Sequence, residues 1–202
     1  MKELIRGLFR ETYRFRVFYL RSRYELPFVL NAMNLTGEGA EVGVQRGNFS
    51  AAILTAWRGS TLYSIDPWRE FPSSQYVDVS NVSQSAQDDL YREAVAQLRP
   101  FGSRSRILRQ TSGEAILTIR DNQLDFVYID AQHHYEAAKE DIDLWFPKVR
   151  PGGLLAGHDY LDGQRESGPY GVKTAVDEFV ARTGRRLVVS AEKDWPSWFV
   201  FC

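Results

Sequence analysis

The chain has 202 residues and a mass of 23.2 kDa, 44% hydrophobic and 25% charged, which suits one domain with a sizeable core and excludes a disordered chain. A net charge of -1 argues against a general nucleic-acid binder, and a single cysteine, Cys202, excludes an internal disulfide framework. No apolar run approaches the ~20 residues that span a bilayer, and the N-terminus lacks the apolar stretch of a secretory signal, so a cytoplasmic protein with no transmembrane segment is expected.

Residues 1–24 are basic, and Arg6, Arg10 and Arg14 recur at i, i+4 with Leu4, Ile5, Leu8 and Phe9 between them. That is the pattern of an amphipathic helix. A solvated basic face covering the core is the plainer interpretation. A substrate lid, a homo-oligomer contact or a surface for acidic lipid is the sharper one. Residues 1–35 are therefore set apart as an N-terminal helical extension, and 36–202 as the main domain.

From residue 38 strands and helices alternate. Strands are expected over 40–44, 61–65, 106–110, 124–129 and 154–156, where short apolar runs end at glycine, aspartate or histidine. Helices are expected over 50–57, 88–98, 114–119, 135–146 and 172–183, the last closed by Gly184. Segments 69–86 and 161–171 read as loops, and 186–190 with 198–201 as a terminal hairpin. The fold class is α/β: a doubly wound, mostly parallel, Rossmann-like sheet with a C-terminal antiparallel hairpin. Such sheets bind ligands beyond the carboxyl ends of their strands. Those ends carry Glu41, Asp66, Thr111 and Ser112, Asp130, and His158 with Asp159.

The first strand-to-helix turn reads Glu41-Val42-Gly43-Val44-Gln45-Arg46-Gly47-Asn48-Phe49-Ser50. Gly43 and Gly47 allow close backbone approach, but the spacing is not the Gly-x-Gly-x-x-Gly of a dinucleotide site. An acid before the turn repels phosphate and suits an ammonium or sulfonium. Asp66, at the end of the second strand, is placed to accept both hydroxyls of a ribose. A purely structural turn is the alternative.

With Glu41, Gly43, Gly47 and Asp66 in place, the chain resembles class I S-adenosylmethionine-dependent methyltransferases. It is most similar to a small bacterial group whose signature runs Ile-Asp-x-x-His-x-Tyr-Glu, Pro-Gly-Gly and Gly-His-Asp-Tyr. These stand here as Ile129 to Glu136, Pro151 to Gly153 and Gly157 to Tyr160. The resemblance covers about residues 36–200. It implies that Glu41, Gly43 and Gly47 hold the methionine end of S-adenosylmethionine. By the same resemblance Ser50 meets the carboxylate, Asp66 the ribose, and Trp68, Thr111 and Ser112 the adenine, with Asp130 beside the cofactor.

Asp130, His158 and Asp159 end neighbouring strands and form a candidate divalent-metal site, with Mg2+, Mn2+ or Ca2+ favoured by the oxygen ligands. Local hydrogen bonding without a metal is the alternative, and His158 stands where many relatives carry an oxygen ligand. His133, three residues after Asp130, is where metal-dependent relatives carry a base, and an imidazole with an ordinary pKa of about 6.5 suits that work. His134 is expected only to pack at the helix start. The two loops, with Trp68, Phe71 and Tyr76, are expected to close over an acceptor.

The expected activity is O-methylation of a hydroxyl on a sugar, glycan or secondary metabolite, with His133 and Asp130 catalytic. The alternatives are a cephalosporin hydroxylase-like, metal-dependent enzyme of the same fold, using His133, His158 and a carboxylate, and a non-catalytic cofactor-binding module.

Overall fold

The computed structural model describes residues 20–202 except Gln75 and Val77. The expected basic helix, with Arg6, Arg10 and Arg14, lies outside the described residues. A 3-10 turn, Arg23–Glu25, leads into α1, Leu26–Ala32. The alternating part begins with β1, Glu38–Val42, α2, Asn48–Ala56, and β2, Thr61–Ile65. It continues with α3, Gln84–Leu98, β3, Ser105–Leu108, the single turn α4, Ser112–Ala115, and β4, Leu124–Ile129. Then come α5, Tyr135–Trp145, β5, Val149–Gly157, β6, Asp162–Arg165, β7, Gly168–Gly171, α6, Val172–Thr183, β8, Arg186–Val189, and β9, Trp198–Phe201.

Seven strands form one sheet in the order β3-β2-β1-β4-β5-β9-β8. The first five run parallel, and β9 is antiparallel to both β5 and β8. Strand order reverses between β1 and β4, so the crevice at a doubly wound sheet's switch point opens there.

β4 shows why the sheet is covered on both faces. Every one of its residues is buried, with Val127 and Ile129 facing the α5–α6 side, and Phe126 and Tyr128 facing α1 and α2. This is the continuous apolar run of a central parallel strand. On the α5–α6 side Trp145, Val176 and Phe179 complete the core. On the other, Leu26, Leu30, Ile53, Leu54 and Trp57 do so. Burying side chains of this size contributes roughly 1.5–3 kcal/mol each. Residues 20–35 pack onto this core, with Leu20, Leu26, Leu30 and Leu35 buried with α2 and β4.

Three local expectations change. Segment 161–171 is a β-hairpin, not a hinged loop. β6 and β7 pair from Asp162↔Gly171 to Arg165↔Gly168, and the Gly171 N–H donates to the His133 carbonyl at 2.8 Å. Helix α3 starts four residues before the expected Asp88, because the Gln84 backbone N–H finds the Glu70 carboxylate at 2.8 Å. Strand β5 starts at Val149 rather than Leu154, running through Pro151–Gly153 with a break in register opposite Leu124 and Phe126. No helix among the described residues is long and apolar enough to cross a membrane.

Gly43 has φ +87, and a Cβ there would sit 1.8 Å from the Asp130 carbonyl oxygen. Gly43→Ala is therefore expected to destabilise the fold by roughly 3 kcal/mol or more, from positive-φ strain and overpacking together. Thermal and urea unfolding measure this, and a native-like midpoint would show that β1 and β4 can separate at this point.

Candidate active site

Asp66 fastens the glycine turn before any ligand is involved. One of its carboxylate oxygens accepts the N–H groups of Val44 and Gln45, both at 3.0 Å, and the other accepts the Trp68 N–H at 2.8 Å. Trp68 is fully buried, donates its indole N–H to the Gln45 carbonyl at 2.8 Å, and packs against Tyr91, Leu90 and Ala94. With its backbone in the left-handed region (φ 40), its indole lies beneath the turn, not against the cleft.

Glu41 is 1% exposed; the Ser50 hydroxyl donates to it and meets Ser64 at 2.7 Å. Burial pushes the Glu41 carboxyl up to about 8, against the pull of the Ser50 hydrogen bond. Gly47 (φ +82) starts α2 close to Ala94.

A cleft of about 800 Å3 opens above this turn, and Glu41, Gly43, Asp66, Thr111, Ser112, Asp130, His133, His158 and Asp159 all line it. Gly47, Ser50 and Trp68 do not. They support the wall from behind, because their side chains or backbone face α3 and β2. Thr111 caps α4 in a reciprocal arrangement with Glu114, and the Ser112 hydroxyl donates to Asp141 while accepting the Trp145 indole N–H at 2.7 Å. Asp141, at the same end of the cleft, is pushed up to about 6 by burial, against the Ser112 hydrogen bond.

At the other end the charged groups interlock. His133 Nδ1 lies 2.8 Å from Asp78, its Nε2 lies 2.9 Å from Asp159, and its ring stacks on Tyr170 at 4.6 Å between centroids. Burial works against the imidazolium, but the Asp159 and Asp78 carboxylates outweigh it and raise His133 to about 10. In this state both ring nitrogens carry protons, and His133 is not the neutral base that the ordinary pKa suggests. Burial would raise Asp159, yet His133 and His158 hold it well below the usual carboxylate range. Asp130 is raised by burial, and its Oδ2 accepts Arg23 Nη1 at 2.8 Å.

Asp159 has φ 53 and is 5% exposed. Its Oδ1 lies 2.9 Å from His158 Nδ1 and is buried without a hydrogen-bond partner among the described residues. One ligand atom each from Asp130, His133 and Asp159 fall within 4.8 Å of one another. The group that could hold a cation thus contains His133 where the sequence suggests His158. His158 stands alongside, with Nδ1 3.7 Å from Asp130. His134 caps α5, its Nδ1 accepting the Ala137 N–H, rather than only packing at the helix start.

Three residues were not foreseen. Asp78 stands in the 69–83 segment, held by the N–H and hydroxyl of Ser80. Its only signal is an acid in a polar loop long enough to be functional. Tyr170 arrives on β7. Arg23 comes from the turn before α1, and no local pattern announces it.

The fold is that of the class I methyltransferases, and the model of the methyltransferase domain family matches residues 40–160, so the chain belongs to that family. A curated relative, the uncharacterized protein y4gI of Sinorhizobium fredii, is 24% identical over 134 residues, which are 66% of this chain. The chain spans only 14% of that relative's length. A Corynebacterium glutamicum structure superposes with TM-score 0.62 at 18% identity, over 96% of this chain and 88% of the other. The O-methyltransferase TomG of Streptomyces achromogenes, solved with S-adenosylmethionine, gives 0.57 at 12%, over 89% and 79%. An rRNA methylase of Streptococcus thermophilus gives 0.56 at 12%, over 87% and 95%.

His133's folded pKa of about 10 lies above its ordinary value of 6.5. Its stabilising contribution is fully present below the ordinary value and is lost as pH rises through the folded one. Chelator-treated protein is expected to lose melting temperature between pH 7 and about pH 10, and His133→Gln to flatten that loss. Equal slopes for the two proteins would remove the carboxylate clamp as the cause.

Proposed function

We propose that the protein transfers a methyl group from S-adenosylmethionine to a hydroxyl of a small acceptor: a sugar, a glycan unit or a secondary metabolite. The observation that carries this reading is the convergence of Asp130, His133 and Asp159 at the end of a cleft whose wall is the glycine turn. A cavity of about 800 Å3 has room for a nucleoside cofactor and a small acceptor together. The net charge of -1 favours such an acceptor over RNA, although an rRNA methylase shares the fold.

Glu41 faces the cleft as a buried acid that regains its charged form when a cation approaches. Asp66 already accepts three N–H groups, and a carboxylate offers about four lone-pair sites. It has room for one ribose hydroxyl rather than both. The cofactor supplies a sulfonium methyl that passes to the acceptor oxygen while the C–S electron pair returns to sulfur. A divalent cation fits Asp130, His133 and Asp159, since Asp159 Oδ1 is buried without a donor, and it would supply Lewis acidity to an acceptor hydroxyl. With a cation on its Nε2, His133 would be a ligand and the proton of the acidified hydroxyl would leave to water; without one, Nε2, once freed of the proton it holds against Asp159, would take the acceptor's proton, Nδ1 keeping its own against Asp78 in either case.

Calorimetry is expected to show micromolar S-adenosylmethionine binding, weakened roughly 10- to 100-fold by Asp66→Ala. The loss would combine the ribose contact with loosening of the turn. No binding to the native protein overturns the reading. In a methyl-transfer assay, a chelator is expected to suppress turnover and Asp159→Asn to abolish any response to added Mn2+. Turnover that survives both removes the cation from the mechanism, and methylation of RNA alone overturns the acceptor class.

A further inference from the structure

We infer that Arg23 binds the carboxylate of the cofactor's methionine moiety, an inference that rests on the cofactor proposed above. Ser50, the residue its family would assign to that carboxylate, is unavailable. It is fully buried, its hydroxyl donates to Glu41, and it does not line the cleft. Arg23 reaches the place from outside the segment 40–160 that the family model matches. Its guanidinium lies 4.9 Å above the ring of Phe49, in the first turn of α2, and 2.8 Å from Asp130. It shares the cleft wall with Glu41 and Gly43.

Among the described residues two other arginines line the cleft, and neither suits the role. Arg46 is half exposed and paired with Glu93, and Arg69 lies over Phe71, beyond the ribose-facing Asp66. Arg23 is also fixed from behind. Its backbone N–H donates to Glu192 at 3.2 Å, and the Leu20 carbonyl accepts the Ala191 N–H at 2.7 Å. The side chain is 22% exposed, so its charge is only partly screened by water.

The chemistry matches an amino-acid zwitterion. Glu41 and Asp130 present negative charge to the ammonium, and Arg23 presents a planar fork to the carboxylate. A guanidinium has five N–H donors, and among the described residues Arg23 gives its side-chain hydrogen bonds to Asp130 and Tyr128. It can hold Asp130 and a ligand carboxylate together.

The test compares S-adenosylmethionine with its decarboxylated analogue, which keeps the ammonium and sulfonium and lacks only the carboxylate. Calorimetry on the native protein is expected to favour the complete cofactor roughly 10- to 100-fold, the range of a hydrogen-bonded charge pair. Arg23→Gln is expected to erase most of that preference while binding the analogue as well as the native protein does. Arg23→Lys, which keeps the charge without the fork, is expected to retain part of it. Melting temperatures of both variants identify a folding defect, and loss of affinity for both ligands in a folded Arg23→Gln overturns the carboxylate assignment. An undiminished preference in Arg23→Gln overturns it equally, with cofactor use left standing. Failure of the native protein to bind either ligand overturns cofactor use itself, and the assignment with it.

Discussion

The Gly43 backbone passes so close to the carbonyl of Asp130 that no side chain fits between them. Because β1 and β4 are neighbours at the switch point, that contact sets the width of the crevice where their ends diverge. It brings Glu41, just before the glycine, to the same cleft as Asp130, so two desolvated carboxylates share one wall. Asp66 then tightens the turn from the β2 side by collecting its N–H groups. Remove the close pass and the acids, the turn and the cleft all lose their reference point.

Around this point the charges are arranged in alternation. Asp78, His133 and Asp159 run in a line with His158 at its end, and Arg23 lies against Asp130. Three carboxylates gathered in a partly buried space would be costly without cations between them. The protein sets Arg23, His133 and His158 among them from elements far apart in the chain: the turn before α1, the start of α5 and the end of β5. Any incoming cation must compete with the groups already there.

Much of this was legible in the sequence. Strands 61–65 and 124–129 were bounded to the residue, because apolar runs that stop at aspartate mark both the strand and its polar end. The glycine turn and the neighbouring strand ends at Asp130 and at His158 with Asp159 followed from the same logic. What was not legible depends on long-range geometry. Asp78 meets His133 across 55 residues, and joins Asp159 in favouring the imidazolium. The direction of Trp68 depends on one left-handed backbone angle. The β6–β7 hairpin carries four exposed residues in β6, so its pairing leaves no apolar alternation to read. Arg23 matters because the 191–192 backbone and side chain hold its segment in place, a tertiary fact with no local signature.

The position of β9 has a consequence for how the chain is made. β8 precedes β9 in sequence but lies outside it in the sheet, so β8 cannot join until the strand synthesised after it has inserted. On the ribosome, β3, β2, β1, β4 and β5 can assemble as they emerge, leaving β5 as an open edge. That edge carries Leu154 and Leu155, which are fully buried in the finished domain and are covered there by Val200 and Phe201. An uncovered apolar edge is a template for pairing with another chain. During the interval before β9 arrives, that edge is open to aggregation, and a chaperone that shields it would act on a pairing that waits for β9.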